Sequence, residues 1–128
     1  MDSTTLVTPD IPVGRRITEA LDSAAIPLTA SLWFFDPDAS EWRLIVASPQ
    51  VDEIGPLKMY GLIQKVLKKL INQIDLPLRK ISAVSPNDPL IRLLRSAVKT
   101  GTGISGIRFT HNTINGVFVE DAYIYRLT

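Results

Sequence analysis

A chain of 128 residues with 45% hydrophobic and 21% charged side chains can bury its own core without staples, and its composition is not that of a disordered protein. It has no cysteine, which excludes thiol catalysis, disulfides and cysteine-ligated zinc or iron–sulfur sites. The net charge of +1 conceals a split: residues 1–50 hold three basic and seven acidic side chains, residues 51–100 nine basic and four acidic. A sequence pI near 8.0 is a weak basic signal for a nucleic-acid binder.

Length gives one domain over residues 1–128, with a loose polar tail at 1–8. Neither a basic stretch leading into an apolar run at Met1 nor a run of membrane-spanning length is present, so the expectation is a soluble, cytoplasmic protein without membrane contact.

The first predicted helix starts at Asp10, a good N-cap, with Pro12 in its opening turn. Ile17, Ala20, Leu21 and Ala24 form its apolar stripe, and it stops before Pro27. A hairpin follows, from Ser31–Phe35 through the turn residues Asp36–Ser40 to Glu41–Ala47. Gly55-Pro56 introduces the longest predicted helix, whose apolar face runs Met59, Ile63, Val66, Leu67, Leu70, Ile71 and Ile74. Ile81–Val84 is a short strand. Asp88-Pro89 opens a third helix, with Leu90, Leu93, Leu94, Ala97 and Val98 on its buried side. Asn115-Gly116 is the favoured pair for a type I′ turn and closes a final hairpin.

The order α-β-β-α-β-α-β-β predicts an α+β fold, with three helices on one face of a mixed, largely antiparallel sheet of about five strands. Leu32 and Phe34 alternate with Trp33 and Phe35. In the last strand Val117, Val119, Tyr123 and Tyr125 alternate with Phe118, Ala122 and Ile124. A sheet apolar on both faces must be covered twice, and self-association through the sheet, as a homodimer, is one way to do so.

Gly101, Gly103 and Gly106 spell the G-x-G-x-x-G dinucleotide fingerprint, but they follow a helix and precede a strand. Pyrophosphate binding needs the reverse order, with helix N-terminal amides facing the anion. Gly101 is therefore expected to be a left-handed helix cap and no cofactor is expected. A two-residue turn at Asn115-Gly116 would set the lone His111 opposite Glu120, a weak polar pair. Lys65, Lys68, Lys69, Arg92, Arg95 and Lys99 could form one anion- or nucleic-acid-binding face. A metal-dependent nuclease would need carboxylates from Asp36, Asp38, Glu41 or Asp52 to converge on a cation. No nucleophile elbow, Walker or H-E-x-x-H pattern is present, and no catalytic or metal residue is assigned. The leading expectation is a non-catalytic interaction or regulatory module that self-associates through its sheet; the alternative is a nucleic-acid-binding or metal-dependent nuclease-like protein using the basic helix face and the hairpin carboxylates.

Overall fold

The computed structural model describes residues 9–70, 72–74 and 76–128; the tail expected at residues 1–8 and Ile71 of the expected stripe lie outside the described residues. The elements are α1 (Ile11–Ser23), β1 (Ala30–Asp36), β2 (Glu41–Ala47), α2 (Gln50–Ile54), α3 (Pro56–Lys68), β3 (Ile81–Val84), α4 (Pro89–Arg95), β4 (Ile107–Ile114) and β5 (Val117–Leu127), with a 3-10 turn at Leu78–Lys80. The class is α+β, with a five-stranded sheet in the order β3-β2-β1-β5-β4. Every neighbouring pair is antiparallel except β2–β3, whose parallel pairing is bridged by α2 and α3.

Local chemistry sets most boundaries. The Asp10 carboxylate accepts the Val13 amide at 3.2 Å and caps α1. The Asp88 carboxylate accepts the Leu90 amide at 3.0 Å and caps α4. Asp36 folds the β1–β2 turn by accepting the amides of Asp38 and Ala39. Two boundaries depart from the sequence reading. A one-turn helix, α2, precedes Gly55, whose φ of +85° breaks it from α3. The long helix ends at Lys68 and not at Ile74, because the chain turns at Leu70, whose carbonyl accepts both Gln73 and Ile74 amides.

The sheet carries a core on each face, not helices on one face alone. Trp33, Phe35, Trp42, Leu44 and Tyr125 pack with Ile17 and Leu21 of α1 and Met59, Ile63 and Val66 of α3. On the opposite face Ala30, Leu32, Ile45, Ala122, Ile124 and Leu127 pack with Ile91 and Leu94 of α4. Alternation along β1 demands this, since Leu32 and Trp33 are both nearly inaccessible yet point to opposite sides. Sheet faces are thereby covered within one chain, and self-association has no bare face to hide.

Polar bonds buried beneath α1 fix that helix on the sheet. A bulge between Ser31 and Leu32 in the β1–β5 register turns both Tyr125 and Arg126 toward α1. The Trp33 indole donates to the Tyr125 hydroxyl at 3.1 Å, and that hydroxyl donates to the Ile11 carbonyl at 2.5 Å. Thr18 bonds Ser31 at 2.7 Å and returns a bond to the Gly14 carbonyl. Burial is the main cause that pushes the Tyr125 phenol above its ordinary range, while the Trp33 bond works against it.

That shift has a sign. An acid whose folded pKa is raised stabilises the fold fully below its unfolded value, near 10, and loses that contribution as pH climbs toward the folded value. Stability is expected to fall above pH 10 by about 1.4 kcal/mol per pH unit from this one phenol. Denaturant midpoints measured from pH 9 to pH 11.5 check it: Tyr125→Phe should be less stable at pH 9 and should show the shallower alkaline decline. Parallel declines in the two proteins would refute the assignment.

Candidate interaction site

The β4–β5 hairpin forms one end of the sheet, with β4 at its edge. Asn115 and Gly116 have φ of +49° and +84°, the type I′ turn that their sequence demands. The register is the expected one, with Phe109 opposite Ala122, Thr110 opposite Asp121 and Ile114 opposite Val117. The ladder skips one pair, His111 and Glu120, the pair expected to meet. His111 sits in the left-handed region at φ +48°, a conformation that His tolerates better than most residues. No hydrogen bond or ion pair joins it to Glu120; its ring lies edge-on to Phe118 with centroids 6.3 Å apart.

The break at His111 exchanges the faces of the hairpin. Phe109 and Ala122 point into the α4-side core on one side of it. On the other side Ile114 and Val119 enter the same core despite opposite parity. Val119 therefore does not share a face with Tyr123 and Tyr125, contrary to simple alternation along the strand. A seven-residue α4 is short for five strands, and the curled hairpin supplies the rest of the cover. The curl leaves Val117 and Phe118 outside, 48% and 57% exposed. Nothing in the sequence marks Phe118 as exposed except its place two residues beyond Gly116.

At its base the hairpin is held rigidly. The Arg108 guanidinium meets the Asp121 carboxylate through two bonds of 2.6 Å and lies 5.9 Å from the Trp42 ring centroid. The hydrogen bonds that Arg108 donates to Asp121 raise its pKa, and the two formal charges offset each other. From Phe109 to Val119 no residue carries a formal charge when His111 is neutral.

The two edges of the sheet differ. At β3, four residues long, the Ala83 amide is capped by the Tyr60 hydroxyl at 2.9 Å, and Ile81 and Ala83 are buried. At β4, eight residues long, no side chain among the described residues caps the backbone of Phe109 to Ile114, and His111, Asn112 and Thr113 are exposed. Natural edges are usually blunted by lysine, proline or inward charge. This one has Arg108, held by Asp121, and the kink at His111.

The other sequence candidates separate in space. Lys65, Lys68 and Lys69 belong to the α3 end, on the side of the sheet that holds the Trp33 core. Arg92 and Lys99 lie with α4 on the other side. Arg95 is occupied structurally, donating to the carbonyls of Pro86 at 2.8 Å and Thr128 at 3.2 Å. The single basic face is thus divided by the sheet, because the helices do not lie on one face. The carboxylates are equally dispersed in role. Asp36 caps its turn, Glu41 faces Arg43 at 3.6 Å and Asp52 accepts the Ser85 hydroxyl at 2.9 Å. Among the described residues no group of three or more His, Asp or Glu could hold a metal ion. A cavity of about 560 Å³ beside α1 is lined by Asp22, Gln50, Thr102 and Arg126, but its two charges already satisfy each other.

Gly101 does not adopt the left-handed conformation expected of it; among the described glycines only Gly55 and Gly116 have positive φ. The helix that it was expected to cap has already ended at Arg95, with Ser96 as its cap. Thr100 instead is tied to β5, its amide donating to the Leu127 carbonyl and its hydroxyl accepting the Leu127 amide. Gly106 has a steric role, since a Cβ there would collide with the Tyr123 hydroxyl.

No helix among the described residues is long and apolar enough to cross a membrane. No protein-family model, curated protein or solved structure matches the chain.

Proposed function

We propose that the protein is a non-catalytic interaction module that binds through its β4–β5 hairpin, adding a strand at the β4 edge and seating the Val117–Phe118 tip. The observation that carries this reading is the asymmetry between the edges: β3 is short and capped by Tyr60, while β4 is long and, beyond Arg108, carries no formal charge and no side-chain cap among the described residues. Strand addition draws affinity from main-chain hydrogen bonds and specificity from the side chains beside them. Exposed Phe118 is the type of anchor that supplies much of the energy in small interfaces, where a few aromatic residues dominate.

Photo-crosslinking tests the reading in the living cell. A benzophenone amino acid placed at Phe118 should give discrete covalent adducts on irradiation. The same group at Lys58, exposed near the start of α3, should give none. Equal adducts at both positions, or none at either, would overturn it.

A further inference from the structure

We infer that the cavity of about 560 Å³ beside α1 is a binding site for a small neutral ligand with a carboxamide edge, held by the side-chain amide of Gln50. The inference goes beyond the hairpin surface and stands independently of it. Strand direction places the cavity. β2 and β5 both run antiparallel to β1, so their carboxyl ends lie on either side of its first residue, Ala30 facing Ala47 and Leu127. β3 runs parallel to β2 and ends on the same side. Gln50, just beyond β2, and Arg126, near the end of β5, thereby flank the loop of residues 25–28 that leads into β1. In open α/β sheets small ligands sit in the crevice beyond the carboxyl ends of the strands, and the crossover from β2 to β3 builds such an end here. The volume is in the range of small-molecule sites.

One buried side-chain atom among the described residues has no hydrogen-bond partner, and it belongs to the lining of this cavity: Oε1 of Gln50. The residue is anchored through its main chain, its backbone amide donating to the Ser48 hydroxyl at 3.2 Å. A buried acceptor without a donor costs free energy, which pairing with a ligand recovers. The rest of the lining narrows the chemistry. Arg126 meets both Asp22 oxygens at 2.8 Å, so the two charges offset each other and a charged ligand finds no counterion. Ile26 and Pro27 supply an apolar wall, and exposed Thr102 adds a hydroxyl. The Gln50 amide carries a donor and an acceptor side by side. Its match is a flat ligand edge with an N–H next to a C=O, paired through two bonds when the soft terminal torsion turns the amide toward it.

Benzamide is the probe, with methyl benzoate and benzoate as controls that lack the donor or add a charge. Nitrogen–proton correlation spectra should show benzamide shifting the Gln50 side-chain signals and the Ala25 and Thr102 amides, saturating in the millimolar range. Methyl benzoate should bind at least about tenfold more weakly, and benzoate should leave those signals in place. Gln50→Leu should abolish the benzamide shifts at Ala25 and Thr102. Its thermal midpoint should be no lower than that of the intact protein, since the variant removes an unpaired buried atom. Equal binding of benzamide and either control, retained shifts in Gln50→Leu, or no shifts up to the solubility limit of benzamide overturns the site. A lowered midpoint in Gln50→Leu would overturn it as well, because the oxygen would then be paired within the fold by water alone.

Discussion

Replacing Gly14 by alanine is expected to destabilise the protein by about 3 kcal/mol, although alanine is the better helix former. Gly14 is buried in the first turn of α1, where a Cβ would collide with the indole nitrogen of Trp33 and the hydroxyl and ring of Tyr125. Those atoms cannot yield cheaply. The indole bonds the phenol, the phenol bonds the Ile11 carbonyl, and both rings are sealed in the core, 2% and 1% exposed. Moving α1 outward would break these bonds and loosen Ile17 and Leu21 from the sheet. Leaving a buried donor unpaired costs roughly 1–3 kcal/mol by itself, and overpacking adds a similar amount. Thermal unfolding should show a midpoint lower by roughly 10 °C for a domain of this size. Gly61 supplies the control: it lies exposed in α3 with nothing near the position of a Cβ. Gly61→Ala should stabilise by about 0.5–1 kcal/mol through helix propensity alone. Similar shifts for both variants would mean that α1 does not sit on Trp33 and Tyr125 as described.

Gly14 also shows where sequence reading stops. The ends of α1 and α4 and the tip of the last hairpin were legible because each is decided by a few adjacent residues. Asp10 and Asp88 accept amides two or three residues onward, and Asn115-Gly116 tolerates the positive φ that the turn imposes. Apolar alternation in β1 likewise announced a sheet needing two covers. Which helix covers which face was not legible, because an amphipathic stripe shows that a helix must be buried and not where. The assumption that all helices share one face therefore joined Lys65, Lys68 and Lys69 to Arg92, Arg95 and Lys99, which the sheet keeps apart.

The remaining misses arise from long-range contacts acting on backbone conformation. Gly101 was read from local cap chemistry, but Thr100 is pinned to Leu127 across the fold, and the chain needs no left-handed residue there. His111 adopts positive φ because the hairpin must curl to bring Ile114 and Val119 into the second core, a demand set by the shortness of α4. A period-two pattern cannot reveal such a reversal, since the register on either side of it is unchanged. The exposed surface at Phe118 is a consequence of that curl, which explains why the candidate site was less legible than the fold.

A second large effect is expected at Arg126, where the order of the variants carries the argument. The guanidinium meets both Asp22 oxygens at 2.8 Å and donates to the Gly103 carbonyl at 3.2 Å, and its side chain is only 7% exposed. It joins α1, the connection before β4 and β5 at one point. The Asp22 hydrogen bond raises its pKa, so the charge persists throughout the accessible pH range. Removing the acid strands that charge. Asp22→Ala should cost about 2–3 kcal/mol, toward the lower part of the range for breaking buried pairs because the Asp22 side chain is 36% exposed. Arg126→Met should cost about 1 kcal/mol, since methionine fills the apolar path of the side chain and the freed carboxylate returns to water. The double variant should then be no worse than Arg126→Met alone, giving a coupling of about 2 kcal/mol in urea denaturation. Arg126→Lys should not recover the native value, because an ammonium cannot match both carboxylate oxygens while reaching Gly103. Additive single effects would show that the pair is a surface contact, and that the join between α1 and β5 rests on Trp33 and Tyr125 alone.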